Sequence, residues 1–381
     1  MATVLNTAAV IAAESMRVLE HELVIGSLLY RDRTQDFTQK SNGWAVGDTI
    51  DVKTPTEYEV DSFSGTINKQ DTRDSKTSFA IEDHLDLSTG ITSQQRKLDL
   101  SDLTREVIQP AMAAFSQKID VHLATKMLEG RGLYSSTALF ETAADVALGR
   151  KSANNQKIAK QNRIALLDYD VEADLLGANW FNQSQTRGAD GEASLRNGEM
   201  GHVMGMSFFS SANMPSDTHS NGDGAGVTDN ASSTLNVIGS QNLITDATTG
   251  TFEAGDHILV AGVTHPFVVA TQTTATATSI PLVDPIDQLI PDGAAITVVS
   301  SGNANDVFHG VITNPNTYAW AAPPLDNPGD KVSAAVATIN GMSIRFVEGY
   351  DQDTKEFVWS WDMLIGARCW DRRGTIQLRK F

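Results

Sequence analysis

The sequence predicts an α+β fold in which helices and strands carry a separate region built only of strands. One observation is a long run of helical spacing between Ser101 and Gly130. The other is the stretch from Asp217 to Ser300, where short strand-like segments follow one another without any helical stripe. Because strand and helix signals resume at Asp306, the all-β region is predicted to be an insertion.

The long helix is the element around which the rest of the chain is arranged. Its apolar side chains recur every four residues, at Leu103, Val107, Ala111, Phe115, Ile119, Leu123 and Met127. Pro110 lacks a backbone donor and clashes with the preceding turn, so it does not fit inside a continuous helix. We therefore predict a short helix to about Gln109, followed by a long helix with Pro110 in its first turn.

The N-terminal part predicts helices followed by a long hairpin. Residues Ala8 to Leu29 have helical spacing and form one or two helices. A strand is predicted from Gly47 to Val52 and another from Thr77 to Leu87, with a polar segment between them. A polar hairpin of this length cannot bury itself on its own domain, so we expect it to contact another chain.

The middle of the chain alternates helices and strands, as in a mixed α/β domain. The predicted elements are a helix from Ala143 to Lys160 capped by Thr142, a strand from Arg163 to Leu167, a helix from Val171 to Leu176 capped by Asp170, and a strand from Met206 to Ser210.

The inserted region predicts a small all-β barrel or sandwich. Its strands are placed at Thr234 to Ile238, His257 to Val263, Phe267 to Thr271, Thr278 to Val283 and Ile296 to Ser300. Beyond it, alternation predicts a strand through Met342, Ile344 and Phe346 and another from Phe357 to Trp361. The group Trp359, Trp361 and Trp370 is predicted to be core.

Composition narrows the classes of function. The formal net charge is −18, which repels phosphate and argues against sequence-independent binding of nucleic acid, although a container for DNA can carry such a charge. The single cysteine, Cys369, excludes a disulfide framework and lies in an apolar run, so it is predicted to be buried. The absence of an apolar span or signal peptide predicts a soluble, cytosolic setting without a membrane.

The sequence contains no phosphate loop, dinucleotide-binding, zinc-protease or serine-hydrolase motif. His84 beside Glu82, Asp83 and Asp86 is the most metal-like group, but strand alternation would divide these side chains between two faces. The acids Asp168, Asp170, Glu172 and Asp174 resemble a calcium loop without its central glycine and terminal glutamate, and helix capping explains them better. We predict no catalytic, cofactor-binding or metal residue, and no cofactor.

The order of parts resembles the major capsid proteins of tailed phages with the HK97-type fold, and most closely the P22 coat-protein group. The resemblance is spread over nearly the whole chain. It is carried by Ala13 to Glu20, Gly47-Asp48-Thr49-Ile50, Pro110 with Ile119-Asp120, Leu195-Arg196-Asn197-Gly198 with Gly201 and Gly205, Phe308 to Val311, Ala321 to Leu325, Gly341 to Arg345, and Asp362 to Ala367.

The resemblance implies a division of the chain into parts. These are an N-arm at 1–46, an E-loop hairpin at 47–98, a P domain with its spine helix at 99–145, the first part of an A domain at 146–222, an inserted I-domain-like barrel at 223–305, and the completion of the A and P domains at 306–381. The tip of the hairpin, around Ser64 to Lys76, is expected to lie on a neighbouring subunit, and residues 225–303 are expected to fold alone.

The function implied is that of a structural protein, not an enzyme. It would self-assemble as pentamers and hexamers into an icosahedral head shell that encloses double-stranded DNA without sequence-specific binding. Scaffolding and portal proteins, and in some systems a decoration protein, would be its partners. Its location would be the virion, and the host bacterial cytoplasm during assembly.

Two alternatives remain at this stage. An encapsulin-like compartment resembles the same fold and would be distinguished by a cargo protein that purifies with it. A soluble carboxylate-dependent hydrolase would use the acids between Asp168 and Asp174, and substituting them would abolish its turnover.

Overall fold

The computed structural model describes residues 7–30, 50–54, 65, 75–91, 104–183, 189–198, 200–229, 235–299, 305–328, 332–353 and 356–381. Its helices are α1 Ala8–Glu22, α2 Ile25–Leu28, α3 Gln109–Met127, α4 Ala143–Asn155, α5 Tyr169–Gly177, α6 Asn179–Asn182 and α7 Ala189–Asn197. A π-helical turn covers Thr104–Ile108, and 3-10 turns cover Pro315–Thr317 and Arg372–Gly374.

The strands follow in chain order. They are β1 Ile50–Thr54, β2 Ser75–Phe79, β3 Asp83–Ile91, β4 Gly132–Ser136, β5 Ile164–Leu167, β6 His202–Val203, β7 Met206–Ser210, β8 Thr218–Ser220, β9 Ala225–Thr228, β10 Asn242–Thr249, β11 His257–Val260, β12 Phe267–Val268, β13 Ser279–Pro281, β14 Ala295–Val298, β15 Asn305–Thr313, β16 Tyr318–Ala321, β17 Ser333–Ile339, β18 Met342–Asp351, β19 Glu356–Cys369 and β20 Thr375–Lys380.

The chain forms two compact units, each built from segments that are distant in sequence. Unit 1 comprises Met1–Val52, Lys76–Lys126 and Tyr318–Trp370, and unit 2 comprises Lys53–Ser75, Met127–Thr317 and Asp371–Phe381.

Unit 1 is organised on a five-stranded sheet in the order β16-β19-β18-β17, with β3 paired to the other edge of β19. Trp359 and Trp361 are buried in it, and their rings pack edge-to-face. Phe346 packs edge-to-face against Trp359 and in a tilted arrangement against Trp361. The indole of Trp361 also donates a hydrogen bond of 3.0 Å to the Ser15 hydroxyl of α1. The predicted core role of these two tryptophans is confirmed, whereas Trp370 is only half-buried.

The long helix α3 begins at Gln109 and has Pro110 in its first turn, as predicted. The short helix before it is a π-helical turn. Asp120 is buried beneath the link between α1 and α2, and its carboxylate accepts the backbone N–H groups of Val24 and Gly26 at 3.2 and 3.0 Å. Asp120 thus joins the start of α2 to α3 through two hydrogen bonds to the backbone.

The hairpin strands β1 and β2 form a two-stranded sheet. The single strand predicted from Thr77 to Leu87 is wrong, because the strand is interrupted between Phe79 and Asp83. Strand β2 pairs with β1, whereas β3 belongs to a second sheet. Gly366 permits this crossing, since a Cβ there would lie 2.3 Å from the Ala80 carbonyl oxygen. Residues 55–64 and 66–74 of the predicted hairpin tip are outside the described residues.

Unit 2 contains a seven-stranded mixed sheet in the order β4-β20-β15-β5-β7-β6, with β8 also paired to β15. Helices α4 and α5 pack against it through Val146, Val171 and Leu175, which share a buried apolar cluster with strands β5 and β7. The cap of α4 is confirmed: Thr142 and Asp145 form a reciprocal capping box.

Two predicted helix boundaries in unit 2 are corrected. Helix α4 ends at Asn155 instead of Lys160, because Lys157 adopts a positive φ of 57° that an α-helix does not continue. Helix α5 starts at Tyr169, and its cap is Asp168 instead of the predicted Asp170. The Asp168 carboxylate accepts a hydrogen bond from the Val171 N–H.

The inserted region forms a six-stranded antiparallel sheet in the order β12-β11-β14-β9-β10-β13. Its outer strands also meet, through a bridge between Val269 and Leu282 flanked by the hydrogen bonds Ala270 N–H to Pro281 and Val283 N–H to Val268, both 2.9 Å. The strands therefore close into a ring. Its interior is filled by buried apolar residues: Leu243, Phe252, Ile258, Val260, Phe267, Val269, Ile280, Leu282, Ile286, Ile290, Ala294, Ile296 and Val298.

The strand predicted from Thr234 to Ile238 is wrong over its described residues, which form bends and a turn. The strand of this region is instead β10, a few residues later. Its sequence is polar and therefore did not indicate that some of its side chains are buried. Thr245 and Thr248 are buried, but their hydroxyls donate to the Ala277 carbonyl oxygen at 3.0 and 3.4 Å. Because these hydrogen bonds satisfy the hydroxyls, threonine is tolerated inside the ring.

Candidate functional site

The foot of the hairpin contacts the long helix through charged side chains. Glu82 and Asp83 lie at the start of β3, while His122 and Lys126 lie one turn apart on α3. The Asp83 carboxylate is 3.0 Å from His122 Nδ1, and the Glu82 carboxylate is 2.6 Å from Lys126 Nζ. Burial lowers the pKa of His122 more than the charge of Asp83 raises it. Lys126 is therefore the cation of this hairpin-foot cluster near pH 7.

The four residues of the most metal-like sequence group do not converge. Glu82 and Asp83 face α3 as described, whereas His84 Nε2 lies 3.8 Å from Asp362 of β19. Asp86 instead accepts hydrogen bonds from the Ser88 and Ser360 hydroxyls. The group thus divides into two pairs, with Glu82 and Asp83 at α3 and with His84 and Asp86 beside β19.

A second group, absent from the sequence predictions as a set, is Asp168, Asp170 and His309. Their ligand atoms lie within 4.8 Å of one another, so the trio could hold a cation. However, Asp168 Oδ1 already caps α5, and Oδ2 lies 2.6 Å from His309 Nδ1. The helix N-terminus also disfavours positive charge. The arrangement supports a link between α5 and β15 better than a metal site.

The other predicted acids of α5 do not join that trio. Asp174 pairs with Lys380 of β20 at 3.0 Å, and Glu172 is half-buried in the first turn. The acids considered for a hydrolase are therefore spread along the helix, and Asp168 and Asp174 already have partners. A general acid–base pair would instead need two free carboxyl groups facing a common reacting atom.

A buried arginine lies where the inserted ring meets the segment that follows α3. Arg131 is only 2% exposed, and its guanidinium contacts Asp287 at 2.7 and 3.3 Å. Its Nε donates to the Pro266 carbonyl oxygen, and its plane lies over the Phe267 ring. His265 adds a contact of 3.0 Å to the same carboxylate. We call Arg131, His265 and Asp287 the arginine junction.

The electrostatics of the arginine junction follow from its geometry. Burial alone would raise the pKa of Asp287, but hydrogen bonds from His265 and Arg131, together with the guanidinium charge, hold that pKa well below its usual range. A half-buried carboxylate with a bidentate guanidinium partner makes a strong, directional contact. Removing Arg131 would leave Asp287 with His265 but without its guanidinium, and removing Asp287 would leave the buried guanidinium without its carboxylate.

A second set of contacts supports the junction. Arg372 donates to the Glu129 carbonyl oxygen at 2.6 Å and lies 3.6 Å from Asp284 of the insertion. His257, at the start of β11, is buried beside Arg379, and burial is the main cause that lowers its pKa to about 3. His257 is therefore neutral at physiological pH.

The charge pattern explains why arginines from outside are needed. Residues 223–305 contain no lysine or arginine. They contain eight acids: Asp223, Asp229, Asp246, Glu253, Asp256, Asp284, Asp287 and Asp292. Any guanidinium or ammonium partner of a buried acid in the ring must therefore come from another part of the chain, as Arg131 and Arg372 do.

Sequence reasoning missed the arginine junction. Arg131 and Asp287 are separated by 156 residues, so no local pattern connects them. The sequence does hold a signal, which is the absence of basic residues from the insertion. That absence shows that basic partners for its acids are external, but it does not identify them.

Comparison with known proteins shows the class of fold. No protein-family model matches the chain, and no curated protein resembles it. Among solved structures, a chain from Mycobacterium phage Che8 is 12% identical, covers 93% of this chain and 90% of its own length, and gives a TM-score of 0.51. This chain therefore shares its fold with a phage structure.

Two further structures are similar over most of both chains. The capsid of Ralstonia phage GP4 is 11% identical, with coverage of 88% and 84% and a TM-score of 0.45. A virus-like particle from Pyrococcus furiosus is 8% identical, with coverage of 97% of each chain and a TM-score of 0.42.

Among the described residues, no helix is both long and apolar enough to cross a membrane.

Proposed function

We propose that this chain is the major capsid protein of a tailed phage, with the HK97-type fold and closest to the P22 coat-protein group. The observation that carries the proposal is the fold shared with the phage Che8 chain over 93% of this sequence. The contacts at the candidate sites are consistent with it. Of the acids considered for a hydrolase, Asp168 caps α5 and Asp174 pairs with Lys380, which suits a structural subunit.

The parts of the fold have roles in this proposal. The hairpin β1–β2 is the base of an E-loop that reaches a neighbouring subunit, and α3 is the spine helix of a P domain. The inserted ring is an I-domain-like barrel. Pentamers and hexamers of the chain form an icosahedral shell with scaffolding and portal proteins, and a decoration protein where one exists. The net charge of −18 keeps enclosed DNA from adhering to the protein.

Electron microscopy of the recombinant protein tests the proposal, with and without the products of neighbouring genes. Closed particles of uniform diameter are expected, because repeated modest contacts between identical subunits close into a shell. Particles that contain a co-purified cargo protein and need no scaffold would favour the encapsulin-like alternative. A chain that stays monomeric under every condition would overturn the shell proposal, and activity screens of variants at Asp168 and Asp174 would then test the hydrolase.

The hairpin gives a matched variant for the same experiment. Deleting Ser64 to Lys76, most of which lies outside the described residues, is expected to leave a folded monomer that does not assemble. The circular dichroism spectrum and thermal midpoint report the fold, and microscopy reports assembly. Normal particles from the deletion variant would show that the hairpin tip is not an assembly contact.

The closed ring leads to a separate test of the I-domain assignment. A fragment of residues 225–303 contains all six strands and their apolar core, so it is expected to fold alone. Its acids repel one another without Arg131 and Arg372, and added salt should therefore raise its thermal midpoint. A random-coil spectrum at high salt would count against an independently folding domain.

A further inference from the structure

One segment of unit 2 carries a cluster of positive charge that contrasts with the acidic chain around it. Between Asp145 and Asp168 the sequence has no acidic residue, although the whole chain has 47 acids against 29 lysines and arginines. Five basic residues lie in this segment: Arg150, Lys151, Lys157, Lys160 and Arg163. We call these five residues the basic loop.

The basic loop lies at the end of α4 and in the connection that leads to β5. The Ile158 N–H donates to the Ala153 carbonyl oxygen at 3.1 Å, and the Ile158 side chain is buried, so the connection is anchored against the helix. Lys151, Lys157 and Lys160 are exposed. The loop therefore presents three ammonium groups to solvent from an anchored backbone.

Arg163 holds the base of the basic loop. Its guanidinium donates to Asn154 Oδ1 at 3.1 Å and to the Ile158 carbonyl oxygen at 2.6 Å. Arg163 is only 2% exposed, and its Nε has no hydrogen-bond partner among the described residues. Burial, and with it the nearby charge of Arg150, lowers the pKa of Arg163. The two guanidinium groups thus reinforce the positive potential of the loop.

The basic loop lacks the carboxylate partners that other basic residues of unit 2 have. The C-terminal segment is also rich in cations, but these are paired: Arg373 with Asp371 at 2.8 Å, Arg379 with Asp217 at 2.7 Å and Lys380 with Asp174 at 3.0 Å. Within the described part of the chain, no carboxylate lies at ion-pair distance from a side chain of the basic loop.

The local structure does not account for this much positive charge. The hydrogen bonds of Arg163 explain why one guanidinium is needed to hold the loop, but not why four further cations surround it. The C-terminus of α4 carries a partial charge of about −0.5, which favours a nearby cation but does not balance five. A buried guanidinium without an acid is costly. The segment is therefore suited to attract an anion from outside the chain.

We propose that the basic loop binds the phosphodiester backbone of nucleic acid. Its charges are spread along a helix end and a loop, which suits a row of phosphates better than a single anion. The net charge of −18 repels nucleic acid from the rest of the surface and confines the contact to this segment. Contacts to phosphates carry no sequence preference. The inference rests on the proposed function, since a head shell supplies the double-stranded DNA that the loop would contact.

Fluorescence anisotropy of a short labelled DNA duplex tests the proposal, with full-length protein kept below the concentration at which it assembles. The double variant Lys157→Gln, Lys160→Gln should weaken binding at least tenfold at about 50 mM salt. It should also flatten the slope of log K against log salt concentration by about 2, because each lost phosphate contact removes about 0.9. Both side chains are exposed, so the circular dichroism spectrum should not change.

Two further variants separate the position of the charges from their number. Arg17→Gln combined with Lys118→Gln is the matched control, because both residues are exposed in unit 1 and their loss gives the same net charge as the test variant. This control should bind DNA within twofold of the unsubstituted protein. Lys157→Arg combined with Lys160→Arg keeps the charges of the loop and should also retain binding.

The outcomes separate this contact from the proposed function. Equal losses in the test and control variants would overturn the contact, since net charge alone would explain them. A poly-glutamate peptide that binds as tightly as DNA through the same lysines would also overturn it, in favour of an acidic protein partner. Shells seen by microscopy without lysine-dependent DNA binding would overturn the contact and leave the capsid proposal intact. Lysine-dependent DNA binding without shells would support the contact and count against the capsid proposal.

Discussion

The arginine junction of unit 2 and the hairpin-foot cluster of unit 1 use the same chemistry at different depths. Both join residues distant in sequence through an acid and a base. Arg131 is 3% exposed in its side chain and faces a carboxylate at 17%, whereas Lys126 is 17% exposed and its partner Glu82 is 33% exposed. Water can solvate Glu82 when its partner is lost, but not Asp287 to the same degree. We therefore expect the more buried arginine junction to contribute more to the free energy of unfolding than the hairpin-foot cluster does.

The largest expected effect is at the arginine junction. Arg131→Met should lower the free energy of unfolding by about 3–5 kcal/mol, because it leaves the Asp287 carboxylate buried without its guanidinium. Urea denaturation followed by circular dichroism measures the change. Arg17→Met is the control: Arg17 is exposed and pairs with Glu14 on its own helix, so its loss should not shift the urea midpoint.

A compensating variant sharpens the interpretation. Arg131→Met combined with Asp287→Leu removes both charges, and it should recover most of the stability lost by Arg131→Met alone. If the double variant were as unstable as the single one, packing of the Arg131 side chain on Phe267 would be the main contribution instead of charge pairing.

A smaller effect is expected from the buried histidine beside the junction. The folded pKa of His257 is about 3, below the ordinary value of 6.5. The unfolded chain therefore binds a proton between these values, and stability falls as pH drops below 6.5. The contribution is at most about 1.4 kcal/mol per pH unit.

His257→Gln tests that contribution, because glutamine keeps hydrogen-bonding groups but does not titrate. The decrease in unfolding free energy between pH 7 and pH 5.5 should be smaller in this variant by about 1 kcal/mol. His21→Gln, at an exposed position of α1, serves as the control. Asp287 does not affect this comparison. The stability that its lowered pKa provides is lost only as the pH falls below its ordinary pKa of 3.8. An unchanged pH slope in His257→Gln would contradict the assignment.

Much of the fold could be predicted from the sequence where local signals are strong. The start of α3 at Pro110, the cap at Thr142 and the strand from Met206 to Ser210 each depend on signals within a few residues, and each prediction is confirmed. The cap of α5 was misplaced because Asp168 and Asp170 are both good caps, and only the backbone geometry selects one. Strands β17 and β4 were missed, since small residues and glycine carry little strand signal.

The candidate sites were harder to predict than the fold. Arg131 finds Asp287, and Lys126 finds Glu82, only after distant segments have packed, so no spacing in the sequence records either pair. The outward side chains of the ring were missed for a related reason. Val227 and Leu259 look like ordinary core residues until the strand register shows which side of the ring they occupy.

The smallest expected effect is at the hairpin-foot cluster. A double-mutant cycle of Glu82→Gln and Lys126→Met should give a coupling energy below about 1 kcal/mol, because both groups are partly solvated. The coupling should weaken further at 1 M salt, where screening acts over about 3 Å. The urea midpoints of the four proteins at low and high salt give both quantities. A coupling as large as that between Arg131 and Asp287, and insensitive to salt, would show that exposure does not separate the two clusters.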